Sequence, residues 1–164
     1  MTEAQAGPLG TSLLFDVFAL HQAVGRLLNA AMRDGPLTPG EYAVYSAVFE
    51  LEAATPTQLA ARLGMRLTTF MDQLRMMESR GHARRAGHPT DGRSYRVVLT
   101  AGGHEAHRAA NRLFVGAHEA FQANLPNGEA DAKSALLGIR GAAEAALADV
   151  GESASPRRLA GRAG

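Results

Sequence analysis

The chain has 164 residues, 46% of them hydrophobic and 20% charged, with a formal charge of +1 and no cysteine or tryptophan. That length and apolar fraction suit a folded chain with a substantial core. The missing cysteines exclude disulfides, thiolate metal ligands, a cysteine nucleophile and thiol redox sensing together. Residues 1–10 lack the basic start and apolar run of a secretory leader, and no apolar stretch approaches the ~20 residues a membrane span needs. A cytoplasmic protein with no membrane partner is therefore expected.

Leu13, Leu14, Val17, Leu20, Val24, Leu27, Leu28 and Ala31 recur at three- and four-residue steps and predict an amphipathic helix over 12–33, capped by Thr11 or Ser12. Asp34-Gly35-Pro36 stops it. Thr38-Pro39-Gly40-Glu41 has the form of a capping box, with Pro39 in the first turn, where its missing N–H costs nothing. The helix it opens carries Tyr42, Tyr45, Val48 and Phe49 and is expected to end near Ala53, with Glu50 and Glu52 on different faces. Thr55-Pro56-Thr57-Gln58 repeats the start signal before a short helix with Leu59, Ala60 and Leu63, and Gly64 makes the turn. From Leu67 the apolar positions Leu67, Phe70, Leu74 and Met77 give a helix over 67–80 with an inward stripe. Thr68, Thr69, Met71, Asp72, Gln73, Arg75 and Met76 lie on its other side. Helix, turn and helix make a helix-turn-helix.

Gly81 closes that helix. Two short runs follow, Ala83–Ala86 and Tyr95–Leu99, separated by the turn-rich loop Gly87–Ser94; they predict a β-hairpin, a wing on the motif. Thr100 opens a long helix to about Asn124, and after Pro126-Asn127-Gly128 a last helix runs over 129–150 with a near-seven-residue apolar repeat. Residues 151–164 and 1–10 read as flexible tails. The first helix and the last two carry more apolar surface than a thin winged lobe can cover. A second copy of the chain is the simplest cover, so a homodimer is expected. The fold class is mainly α with a small β-hairpin: a winged helix-turn-helix lobe over 38–100 and dimerisation helices over 11–34 and 101–150, within one domain of 11–150.

Charge is segregated along the chain. Residues 62–96 hold eight arginines and three acids, a charge of +5, and the remainder, nine bases and thirteen acids, carries −4. A basic block in an otherwise acidic chain is the footprint of a phosphate-facing surface, or else a solvated arginine-rich face. Asp72 within it is read as an ion-pair partner of Arg75 or Arg66 rather than an acceptor from cytosine. His104 and His107, at i and i+3, have the spacing of two metal ligands, but no third ligand is evident; they are read as exposed helix histidines, with no metal and no cofactor expected. His21 interrupts the apolar stripe of the first helix and is read as an interface histidine or part of an effector pocket. No glycine-rich phosphate loop, Gly-x-Ser-x-Gly elbow or paired carboxylates suggest an enzyme.

Leu37-Thr38-Pro39-Gly40-Glu41-Tyr42, Thr55-x-x-x-Leu59-Ala60-x-x-Leu63, Met77-Glu78-x-x-Gly81, Asp91-x-Arg93-Ser94 and Val98-Leu99-Thr100-x-x-Gly103 follow one another in the order and spacing of a known pattern. Over about residues 11–150 the chain resembles the MarR family of winged helix-turn-helix regulators. It departs from the family at Gly92, Arg66, Asp72 and His82-Ala83. The resemblance implies a dimeric transcriptional regulator, usually a repressor, that reads double-stranded DNA at a pseudo-palindromic operator. Helix 67–80 would enter the major groove and Arg93 at the wing tip the minor groove, with Asp91 bracing the tip. Arg66, Thr68, Thr69, Gln73, Arg75, Arg84, Arg85 and Arg96 complete the expected DNA contacts. It also implies a small-molecule effector, for which Tyr42, Tyr45, Phe18, Phe49 and His21 are candidates, although core positions suit all five better. Two alternatives stand beside this: a winged-fold interaction protein without specific DNA recognition, suggested by Gly92 and Asp72, and a small-molecule- or zinc-gated sensor.

Overall fold

The computed structural model describes residues 12–87, 94–126 and 128–153. They belong to two compact units, residues 1–119 and 120–164. The first holds α1 (Leu13–Met32), α2 (Pro39–Glu50), α3 (Pro56–Leu63), α4 (Leu67–Ser79), β1 (Ala83–Gly87), β2 (Tyr95–Leu99) and most of α5 (Ala101–Ala123); the second holds the end of α5 and α6 (Gly128–Ser153). The mainly helical fold with one antiparallel hairpin is as expected from the sequence.

The start signals work as local chemistry predicts. Thr38 accepts from the Glu41 amide while Glu41 reaches back to the Thr38 amide at 2.8 Å, and Thr55 and Gln58 do the same at the head of α3. Each box satisfies two N–H groups that have no intrahelical partner. Ser12 is the N-cap of α1, but its side chain makes no cap hydrogen bond. Gly64 ends α3 in the left-handed conformation, at φ 64°, which a residue without Cβ adopts freely.

Two boundaries differ from expectation. α2 ends at Glu50, not near Ala53, because Glu52 and Ala53 both take positive φ, 21° and 67°. Glu52 thus lies past the helix, and this turn lets the Ala54 carbonyl accept from the Val97 amide at 3.0 Å, tying the α2–α3 connection to β2. α6 continues to Ser153, three residues into the expected tail.

The core gathers around α2, whose Tyr42, Val44, Tyr45, Ala47 and Val48 are all buried. Leu59 of α3, Phe70, Leu74 and Met77 of α4, and Val97 of β2 close on it, with Ala106 and Ala110 of α5 behind. Leu67 does not join them. It is exposed at the head of α4, so the inward stripe begins at Phe70. α1 buries only Met32, and α6, within its own unit, buries no residue.

A stack of rings runs along α5. His118, Phe114 and Tyr42 follow one another at 6.2 and 4.9 Å, then His107 at 5.4 Å, Phe49 at 4.7 Å and His104 at 5.8 Å. His107 is buried and shares a hydrogen bond with Ser46, so it is a core residue and not the exposed helix histidine expected from its spacing. Among the described residues no group of three metal-ligating side chains occurs.

Burial, and then the neighbouring His104, push the His107 imidazole below its ordinary value. The unfolded chain therefore takes up this proton first on acidification. The stabilisation is complete above the unfolded value of 6.5 and is lost progressively as pH falls from there toward the lowered folded value. The urea midpoint is expected to drop between about pH 7.5 and pH 5.5, and His107→Gln, which keeps an acceptor near Ser46 without titrating there, should flatten that drop. An identical pH profile in the variant would place the effect elsewhere.

Candidate nucleic-acid interface

α3 and α4 meet through the tight turn at Gly64, and Arg66 is the N-cap of α4, with no side-chain cap bond. With Phe70, Leu74 and Met77 buried, the helical period brings Thr68, Asp72, Arg75 and Ser79 to the opposite, outward strip. Thr69 and Gln73 stand to one side of it, in a groove beside Thr38, Gly40 and Val44, where Gln73 is half-buried. Met71 and Leu67 stand to the other side, beside Thr55, Pro56 and Tyr95. Tyr95 donates its hydroxyl hydrogen to Met71 Sδ at 3.6 Å, so Met71 packs under the strand while Met76 faces solvent.

Strand alternation sorts the wing arginines. In the antiparallel register Arg85 opposes Val97, and Arg84 opposes Val98. Arg85 therefore shares the α4-facing side of the hairpin with Val97, whereas Arg84, Arg96 and Val98 share the other. Arg96 is half-buried there, with its Nε enclosed and unpartnered, near Leu51, Gln58 and Arg62. Arg93 and Asp91 lie outside the described residues.

Internal carboxylates engage much of the basic segment. Arg62 pairs with Glu50 at 3.4 Å and Arg80 with Glu41 at 2.7 Å. Arg85 pairs with Glu78 at 2.8 Å while its guanidinium covers the Tyr95 ring at 4.6 Å. Arg75 pairs with Asp72 across one helical turn, the partner expected for this aspartate. Among the described residues Arg66 and Arg84 are exposed and make no ion pair, so they hold the charge most available to an external anion.

The base of α4 carries a polar group that the sequence reading did not single out. Arg80, the C-cap residue, pairs with Glu41, and nearby the Tyr45 hydroxyl lies 2.9 Å from His82 Nδ1. Burial alone would raise the Glu41 carboxyl, but its bonds to Thr38 and Arg80 outweigh burial and hold it below the usual carboxylate range. Burial pushes the Tyr45 phenol up. A tyrosine one turn beyond the Glu41 cap was the available signal, but nothing local shows that residues 35 to 37 positions later return to it.

The proposed effector residues separate. Tyr42 and Tyr45 are buried core residues, hydrogen-bonded to Asn111 at 2.6 Å and to His82. One edge of Tyr42 lines an apolar groove of about 270 Å³ with Leu28, Met32, Ser46 and Phe114. His21 and Phe18 are exposed on α1 and stand outside that groove, and Phe49 is on the ring stack.

No family model matches the chain. Over 92 residues it is 30% identical to the HTH-type transcriptional regulator TtmR of Methylorubrum extorquens, a stretch that covers 56% of this chain and 47% of TtmR, so the match spans about half of that relative. Among solved structures, the transcriptional repressor CouR bound to a 23-mer DNA duplex is similar, with a TM-score of 0.69 and 24% identity over 87% of this chain and 99% of CouR. CouR from Rhodococcus jostii has also been solved bound to p-coumaroyl-CoA. The apo form of MarR from E. coli is similar with a TM-score of 0.63 and 24% identity, covering 78% of this chain and 96% of that one. No helix among the described residues is long and apolar enough to cross a membrane.

Proposed function

We propose that this chain, whose winged helix-turn-helix fold is similar to those of CouR and MarR, is a cytoplasmic, dimeric, sequence-specific DNA-binding regulator of the MarR type that acts as a repressor. The observation that carries this is the outward strip of α4, backed by Phe70, Leu74 and Met77 and headed by Arg66, which makes no ion pair among the described residues. A helix so backed presents a rigid face of the width the major groove admits. Thr68 and Arg75 reach base edges, Thr69 and Gln73 line one wall, and Arg66 and Arg84 hold phosphates, with Arg93 and Asp91 assigned to the wing tip by resemblance. Arg85 and Arg96 are second-rank contacts, because Glu78 engages the first and the second is half-buried. A second copy covers the apolar sides of α1 and α6, which puts two α4 helices on successive turns of a pseudo-palindrome. The groove between α1, α2 and α5 takes a small-molecule effector, a reading in keeping with the ligand-bound CouR structure.

Selection of genomic fragments by the purified protein, followed by titration of the selected duplex at rising salt, tests this. The expected result is a symmetric motif and an affinity that falls with salt. Arg66→Ala should lower the salt slope by about one, and Asp72→Ala, which frees Arg75, should raise affinity for any duplex. No enrichment over random sequence would sink the specific-regulator reading, and a salt-insensitive affinity would sink the phosphate contacts.

A further inference from the structure

A second groove, of about 600 Å³, lies where the α2–α3 connection runs beside β2. The Val97 amide holds the connection there through the Ala54 carbonyl. Its apolar walls are short side chains, Ala53, Ala54 and Ala61, with Leu51 beside them; Gln58, Arg62 and Arg96 complete the lining. Arg96 reaches it from the side of the hairpin away from α4, since it alternates along β2 with the inward Val97.

The polar side chains of this groove present only donors. The capping box fixes Gln58 as one: its Oε1 accepts from the Thr55 amide and hydroxyl at 2.9 and 3.0 Å, which leaves the Nε2 hydrogens without a partner. Arg62 holds one acceptor, Glu50, at a long 3.4 Å between two exposed side chains. Such a contact contributes little and exchanges readily with ions from solution. Arg96 holds no acceptor. Its Nε is enclosed and unpartnered, and its Nη groups, open to the groove, make no hydrogen bond or ion pair among the described residues. An enclosed donor without an acceptor is costly, and a guanidinium cannot avoid that cost by giving up its proton. Two guanidiniums and one carboxylate leave the groove with an excess positive charge.

We propose that this groove is a binding site for a compact oxyanion, the phosphate or carboxylate group of a small molecule. The anion meets the Nη groups of Arg96 first, and the guanidinium turns so that the Nε joins them as a side-on pair. Arg62 supplies a second cation and Gln58 an amide donor. A guanidinium edge matches two oxygens of one anion, which a single water does not offer. The short apolar walls leave room for a small hydrocarbon body behind the charged group. A free anion suits the site better than a duplex, because Arg96 lies on the side of the hairpin away from α4. The site does not rest on the DNA-binding reading.

Titration with inorganic phosphate against chloride at matched ionic strength tests this, followed by NMR on the arginine Nε–H resonances. Enclosure slows exchange of the Arg96 Nε–H and makes that signal observable. Phosphate is expected to shift it saturably, with half-saturation at about 1 mM, the affinity that a few charge-assisted hydrogen bonds leave. Arg62→Gln, read on the Arg96 signal, and Arg96→Gln, read on the Gln58 side-chain amide, should each weaken phosphate about tenfold. Arg62 is exposed, so its variant remains informative if Arg96→Gln does not fold. Glu50→Gln should tighten phosphate several-fold by releasing Arg62, a gain that a purely structural role for these arginines would not give. Arg108→Gln, at an exposed arginine of α5, should change nothing. The absence of a saturable shift would overturn the proposal and leave water as the partner of the Arg96 Nε. Unchanged phosphate affinity in both arginine variants would overturn it as well. So would a shift produced by a DNA duplex but not by free phosphate, which would make the groove a backbone contact. Failure of the fragment selection would sink only the DNA reading, since the phosphate titration contains no DNA.

Discussion

Replacing Gly103 by alanine is expected to destabilise the protein by about 3–4 kcal/mol, a fall of roughly 10 °C in melting temperature at this chain length. A Cβ at that position would lie 2.0 Å from the His82 carbonyl oxygen and 2.9 Å from its carbon. The obstacle is backbone, already fixed by the Thr100 amide, so no side-chain rotation relieves it. The first turn of α5 passes directly over the start of β1, and Thr100 secures the crossing by donating to the Gly81 carbonyl at 2.6 Å and accepting from the Gly103 amide at 3.2 Å. This gives the Thr100-x-x-Gly103 motif a physical cause: a cap and a close approach one turn apart. Thermal unfolding followed by circular dichroism checks it. Gly102→Ala serves as the control, since its Cβ would meet the His82 ring edge at an ordinary 3.5 Å and should cost little. A Gly103→Ala melting temperature within two or three degrees of wild type would refute the close approach.

The second large effect concerns self-association. α1 leaves Leu14 76% exposed and Phe18 59% exposed, and α6 leaves Leu147 72% and Val150 66% exposed. On the dimer reading these surfaces are covered by a second copy, and a charge placed there must be buried unpaired. Leu14→Glu with Phe18→Glu is expected to shift sedimentation from dimer to monomer at micromolar concentration. The pair should also weaken binding to a two-half-site duplex by more than a hundredfold, because each monomer keeps only one half-site. The winged lobe should keep its fold, since neither residue is buried within this chain. A double variant that remains dimeric would show that α1 is not the contact surface.

The parts of this fold that were legible in the sequence are those decided locally. Both capping boxes depend on residues three apart, and the structure forms them as written. The Gly64 turn, the hairpin partners and the Asp72–Arg75 pair likewise need only short-range chemistry. What escaped depends on contacts between distant segments. Leu67 keeps the helical period of a core residue, yet it sits one turn before the place where α4 meets α2. His107 has the spacing of a ligand, yet Tyr42 and Phe49 enclose it from another helix. The eight arginines were countable, but which of them spend their charge on Glu41, Glu50, Asp72 and Glu78 was not, because three of those four pairs cross between elements.

Those internal pairs bear on how fast a regulator could find its site. A protein whose basic face is largely neutralised from within holds unrelated duplex only briefly, since that hold scales with the number of phosphates it displaces counterions from. On the DNA-binding reading, such a face would trade residence on random sequence for quick release. On that reading selectivity would rest on the outward strip of α4 that begins at Thr68, and any change that frees Arg75 or Arg85 should lengthen every encounter, correct or not.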